Sequence, residues 1–163
     1  MGETANIQLE RVNGLTRRGG FTVAGVKNRF SPSNMHEIPA LWSRLVPRLP
    51  LPGSKHGTLG LILPDDEEGF VYIAGVEMDD GAPVPDDLDK VEIPAQAYAV
   101  YRLTVSGEAL QPQMQAALHD IWGRRLKAEG LTPTRGPNFE LYPPYFDQAK
   151  AGGTLEFWMP VEG

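Results

Sequence analysis

The chain has 163 residues, 41% of them hydrophobic and 22% charged, which suits one globular domain able to bury a core without staples. It contains no cysteine, so disulfides, thiolate catalysis and cysteine-ligated metals are excluded. Fifteen basic against 21 acidic residues leave a net charge of −6. That balance lacks the excess of cations that nucleic-acid binding draws on, and no stretch approaches the ~20 apolar residues of a membrane span. The reading is a cytoplasmic protein with no direct nucleic-acid or membrane contact.

In chain order, "IQLERV" (7–12) reads as an edge strand or a tail, and "FTVAGVKNRF" (21–30) as a strand rich in β-branched and aromatic residues. Ile38, Leu41, Trp42, Leu45 and Leu49 then recur at spacings of three and four, a helical pattern with Pro39 near its start and Pro47 at its end. "TLGLIL" (58–63) and "FVYIAGVEM" (70–78) follow as strands across the turn "PDDEEG". The acidic, proline-bearing "DDGAPVPDDLDK" (about 79–90) reads as an exposed connector. The same order then recurs. "AYAVYRLTV" (97–105) is a strand, and Leu110, Met114, Leu118, Ile121 and Trp122 mark a helix that Gly130 follows as a C′ glycine. "NFELY" (138–142) and "TLEFWMPV" (154–161) close the chain as strands. "LWSRL" in one helix answers "IWGRRL" in the other. The expectation is a single domain over 1–163 built from two strand-helix-strand-strand repeats, about 7–80 and 90–162. Two helices on one face of a mostly antiparallel sheet make it α+β.

His36, His56 and His119 have no second ligand at metal spacing, so a structural or surface role is expected for each and no metal. The glycines of "GTLGLIL" precede a strand, whereas phosphate loops lead into a helix; they read as turn chemistry, and no cofactor is expected. What remains is Glu140, set among Phe139, Leu141, Tyr142, Tyr145 and Phe146. Rings around a carboxylate strip its water and disfavour its charge. Three readings are open: it points outward, it pairs with a cation such as Arg102, or it awaits a positive ligand. Period-two alternation puts Glu140 with Tyr142, and Glu156 with Trp158, on faces opposite the apolar sets Phe139/Leu141 and Leu155/Phe157/Met159. The apolar sets are the natural ones to meet helices. The other face would then gather Glu140, Tyr142, Glu156 and Trp158, with Phe70 and Tyr72 from the earlier strand. Rings beside carboxylates suit a bulky organic cation.

These residues resemble a known family. "FTVAGVKNRF", "EIPALWSRLVPRL", "FVYIAGVEM" and the closing "PNFELY" with "GTLEFWMPV" are similar to the bacterial effector-binding domain of the gyrase-inhibitor-like (GyrI-like) superfamily, which also forms the drug-sensing half of some transcription activators. The resemblance covers nearly the whole chain from about residue 7. It implies two repeats with a cleft between them, and a pocket for hydrophobic, often cationic molecules with an acid at its floor. That acid falls on Glu140. Trp158 and Tyr72 match family aromatics, Tyr142 and Glu156 follow as their neighbours, and Trp42 and Tyr101 sit in matching segments where core packing is an equal reading. Only about 20 residues precede the first repeat, too few for a helix-turn-helix module, so a stand-alone effector-binding domain is expected. The leading function is binding of bulky, cationic organic compounds. One alternative is a hydrolase of strained electrophiles with Glu140 as its catalytic base or nucleophile. Another is an interaction protein whose partner is a regulator or gyrase.

Overall fold

The computed structural model describes residues 8–12, 14–31, 33–55, 57–64, 69–105, 110–143 and 153–163. Its elements are β1 (Gln8–Arg11), β2 (Thr16–Arg18), β3 (Phe21–Phe30), α1 (Ile38–Leu45), β4 (Thr58–Pro64), β5 (Phe70–Met78), β6 (Asp89–Ile93), β7 (Gln96–Val105), α2 (Leu110–Asp120), β8 (Asn138–Tyr142) and β9 (Gly153–Val161). The two repeats are therefore β3-α1-β4-β5 and β7-α2-β8-β9. Every pairing is antiparallel, in the order β1-β7-β9-β8-β4-β5-β3-β6, with β2 also on β7. Each repeat contributes a contiguous block of strands, and the blocks meet where β8 pairs with β4.

Local chemistry sets the helix limits. Pro39 sits in the first turn of α1, where no hydrogen bond is lost to it. The helix ends at Leu45 and tightens into a 3-10 turn, Val46–Arg48, that contains Pro47. α2 passes through a π turn, Ile121–Arg125, into a last turn Leu126–Ala128. There Gly130 takes a left-handed φ of 72°. Leu131 N–H donates to Leu126 O at 2.8 Å and Gly130 N–H to Lys127 O at 3.0 Å, the paired bonds of a Schellman stop.

Two strands lie outside the sequence expectation. β2 is three residues long, too short for a periodic signal. β6 takes in Asp89 and Lys90, the end of the expected connector, and pairs with β3 from Phe21↔Ile93 to Gly25↔Asp89. Charge masked it, because only Val91 and Ile93 mark its inner face.

The sheet is strongly curled, as its connectivity requires. β6 and β7 stand six strand spacings apart along the sheet, which is roughly 29 Å if flat. Residues 94–95 alone join them, a reach of about 11 Å. The sheet therefore folds over on one face, and Phe21, Val23, Leu59, Leu61, Ile73, Ile93, Tyr98, Val100 and Phe139 pack together inside the curl. The helices cover the other face. Leu41 and Leu45 of α1 pack on Val26, Phe30, Tyr72 and Ala74. Met114 and Ala117 of α2 and Ile121 of the π turn pack on Tyr101, Leu103, Leu155 and Phe157. Both faces are buried, so the apolar alternation alone could not say which one meets the helices.

Candidate functional site

Register decides which side chains meet. β8 and β9 pair as Phe139↔Trp158 and Glu140↔Phe157, an even residue opposite an odd one. Directly opposed residues share a face, so Glu140 and Tyr142 lie with Leu155, Phe157 and Met159, on the helix side. Glu156 and Trp158 lie with Phe139, inside the curl. This corrects the expected gathering of Glu140, Tyr142, Glu156 and Trp158 on one face, and it corrects the choice of Phe139 and Leu141 as the helix-facing set. Trp158 stacks on Phe139, centroids 5.3 Å apart and planes 15° apart. Its indole N–H donates to Glu156 Oε1 at 2.9 Å, while Arg102 pairs with Glu156 at 3.0 Å. The cation in this cluster is the chain's own: Arg18 lies 3.9 Å over the Phe21 ring and 5.8 Å from the Trp158 ring centroid, and is ion-paired with Glu77. Tyr101 is also apart from Glu140, buried beneath α2 with its hydroxyl donating to Glu129 Oε1 at 2.8 Å.

Four expected residues come together instead. Across the β8–β4–β5 seam, Glu140 opposes Gly60 and Ile62 opposes Tyr72. Tyr72 reaches diagonally over Gly60 and donates to Glu140 Oε1 at 3.2 Å. Tyr142 Oη donates to the same oxygen at 2.7 Å. From α1, Trp42 Nε1–H donates to Tyr72 Oη at 3.2 Å, and its ring meets Tyr142 edge-on with centroids 5.8 Å apart. Glu140 is 7% exposed.

Gly60, read from sequence as turn chemistry, is mid-strand and belongs to this site. A Cβ there would strike the Tyr72 hydroxyl and come within 2.7 Å of Glu140 Oε1. A glycine inside a strand run is itself the signal that another group passes close to the backbone.

These residues floor a cavity of about 630 Å³ between α1 and α2. Phe70 and Ile62 continue its wall from the sheet, and Met114, Gln115 and Leu118 close it from α2. Ile38, Pro39, Met35 and His36 form the side nearest the start of α1, with His36 strongly exposed. Met114, Gln115 and Leu118 carry no chemical signal in the sequence beyond helical spacing. Tyr145, Phe146 and His56 lie outside the described residues.

Burial pushes the Glu140 carboxyl up to about 7, against hydrogen bonds from Tyr142 and Tyr72 that favour its charge. Burial and the adjacent carboxylate together raise both tyrosines well above their ordinary values. No ion pair reaches Glu140 from any described residue, and Arg102 is held by Glu156 on the other face. Among the described residues no group of three acidic or histidine side chains gathers to hold a metal.

The two repeats thus form an α+β fold with an acid-floored cavity between its helices. The chain belongs to the integron-associated effector-binding protein (Cass2) family, whose model matches residues 15–161. It is similar to the transcriptional regulator BrlR of Pseudomonas aeruginosa, 33% identical over 155 residues, covering 90% of this chain and 54% of BrlR. The chain thus spans about half the length of that relative. Among solved structures its fold is similar to SAV2435 bound to tetraphenylphosphonium, with a TM-score of 0.74, 23% identity and 94% of both chains covered. It is also similar to an integron cassette protein of Vibrio cholerae, with a TM-score of 0.69, 18% identity, and 96% of this chain and 99% of that one covered.

Proposed function

We propose that the cavity receives a bulky, apolar organic cation and that ionised Glu140 balances its charge. One observation carries this reading: a buried carboxylate faces a ring-lined cavity with tyrosine hydroxyls, not a cation, as its partners. A desolvated carboxylate is costly until a positive charge arrives, so affinity is directed towards cations. Trp42, Phe70, Tyr72 and Tyr142 supply ring surface, each aligned ring adding about 0.5–2 kcal/mol for an apposed cation. A volume of about 630 Å³ accommodates a drug-sized molecule. SAV2435, whose fold is shared, binds tetraphenylphosphonium, a cation of this class.

Calorimetry with tetraphenylphosphonium and tetraphenylborate, alike in shape and opposite in charge, tests the reading. The cation should bind and the borate should not, and Glu140→Gln should weaken the cation at least tenfold. Equal binding of the two ions, or a variant that holds the cation as well as the parent, would overturn it.

A second reading rests on the same carboxyl. Held near neutrality beside two hydroxyls, Glu140 is placed to act as a general base on water against a strained electrophile. Consumption of a small epoxide or cyclopropane over many turnovers, abolished in Glu140→Gln, would select it. Stoichiometric, reversible binding would select the first.

A further inference from the structure

The bonds around Glu140 assign each hydrogen. An indole N–H only donates, so Trp42 makes Tyr72 Oη an acceptor, and the single Tyr72 hydrogen is directed to Glu140 Oε1. Tyr142 Oη lies 2.7 Å from Oε1 and 3.7 Å from Met114 Sδ, a weaker acceptor, so of these two described acceptors the carboxyl takes its hydrogen. Oε1 therefore holds two donors whether or not the carboxyl is ionised. Oε2 accepts none among the described residues. Glu140 lines the cavity, and Oε2 is the carboxyl oxygen that the two tyrosine donors leave unengaged. A proton on Oε1 would face two donor hydrogens; a proton on Oε2 would not.

We infer that the cavity has two ligand classes: ionised Glu140 takes an organic cation, and protonated Glu140 donates its Oε2 hydrogen to a neutral aromatic ligand bearing a strong acceptor, such as a phosphine oxide, sulfoxide or amide. The inference rests on the reading that Glu140 addresses the ligand. The other polar hydrogens of the cavity floor, on Trp42, Tyr72 and Tyr142, are already engaged, so the Oε2 hydrogen is the donor that a neutral guest meets there. Burial supports the switch by holding the carboxyl at about 7, where both forms are populated. Among the described residues the titratable groups facing it are Tyr72 from β5 and Tyr142 from β8, both kept neutral by their raised values. β4 presents Gly60 and Ile62, β9 presents Phe157, and the helices present Trp42, Met114, Gln115 and Leu118, none of them ionisable. His36 stands at the cavity edge, 3.7 Å from Glu37.

The test is calorimetry of the whole chain with methyltriphenylphosphonium and neutral triphenylphosphine oxide from pH 5.5 to 8.5. Between pH 6 and 8 the cation should tighten about tenfold as the ionised fraction rises, and the oxide should weaken by a similar factor. Glu140→Gln, whose amide donates at every pH, should hold the oxide with no slope and lose the cation. His36→Gln should keep both slopes. An oxide that fails to bind, or binds with no slope, beside a cation that tightens with pH and needs Glu140, overturns this inference and leaves the cation reading standing. A cation indifferent to Glu140→Gln overturns the cation reading, and an oxide that still weakens with pH then carries the neutral mode alone. Disappearance of the slopes in His36→Gln assigns the titration to the cavity edge and overturns the inference.

Discussion

Glu140 should make this domain less stable as pH rises through the range where most proteins are at their best, and Glu140→Gln should remove the loss. In the fold the carboxyl titrates near 7 rather than 4.5, because burial disfavours its charge. A raised carboxyl binds its proton more tightly in the folded state than in the unfolded one. The stabilisation is therefore complete below pH 4.5, declines between 4.5 and 7, and is gone above 7. Each pKa unit corresponds to about 1.4 kcal/mol, so the span from 7 to 4.5 is worth about 3 kcal/mol in all, most of which falls between pH 5 and pH 8. The amide of the Glu140→Gln variant would keep an acceptor for the two tyrosine hydroxyls and carry no proton to lose. Urea unfolding of both proteins at pH 5, 6, 7 and 8 measures the difference directly. The variant should gain about 2–3 kcal/mol on the parent over that range, about 5–10 °C in melting temperature for a domain of this length. Parallel pH profiles would refute the reasoning, since they would mean that the carboxylate is solvated or already paired with a cation.

Gly60→Ala should place a methyl against the Tyr72 hydroxyl, costing about 1–3 kcal/mol in urea unfolding and weakening cation binding through the displaced tyrosine. Tyr72→Phe removes a donor to the ionised carboxylate and strands the Trp42 N–H. It should cost about 1–3 kcal/mol and move the pH midpoint of cation binding upward, which calorimetry across pH would read. Trp158→Phe, on the opposite face of the sheet, should alter stability through its stack on Phe139 while leaving tetraphenylphosphonium affinity unchanged; a tenfold loss would place Trp158 at the ligand.

Local signals account for much of this molecule. Strand and helix identities follow from alternation and from three-four spacing, and the helix stops follow from Pro47 and Gly130, because these depend on neighbours within one turn. The recurrence of strand, helix, strand, strand, and the oddity of a Glu between Phe139 and Leu141, were legible for the same reason. Charged Asp89–Ile93 and three-residue Thr16–Arg18 were not legible as strands, since pairing with β3 and β7 makes them so.

The composition of the site needed the folded arrangement. Alternation separates Glu140 from Phe139 within one strand, but it cannot say which face of the next strand joins which. An even-to-odd pairing sends Trp158 and Glu156 to the far side, whereas the opposite parity would have brought them to Glu140. The curl forced by the two-residue link between β6 and β7 then buries the face with Phe139 inside the sheet. The face with Glu140, Tyr142 and Tyr72 is left for the helices. Neighbours along the chain set the elements and singled out the carboxylate. Register and curvature, which depend on residues far apart in the chain, put Tyr72, Tyr142, Trp42 and Gly60 in its company.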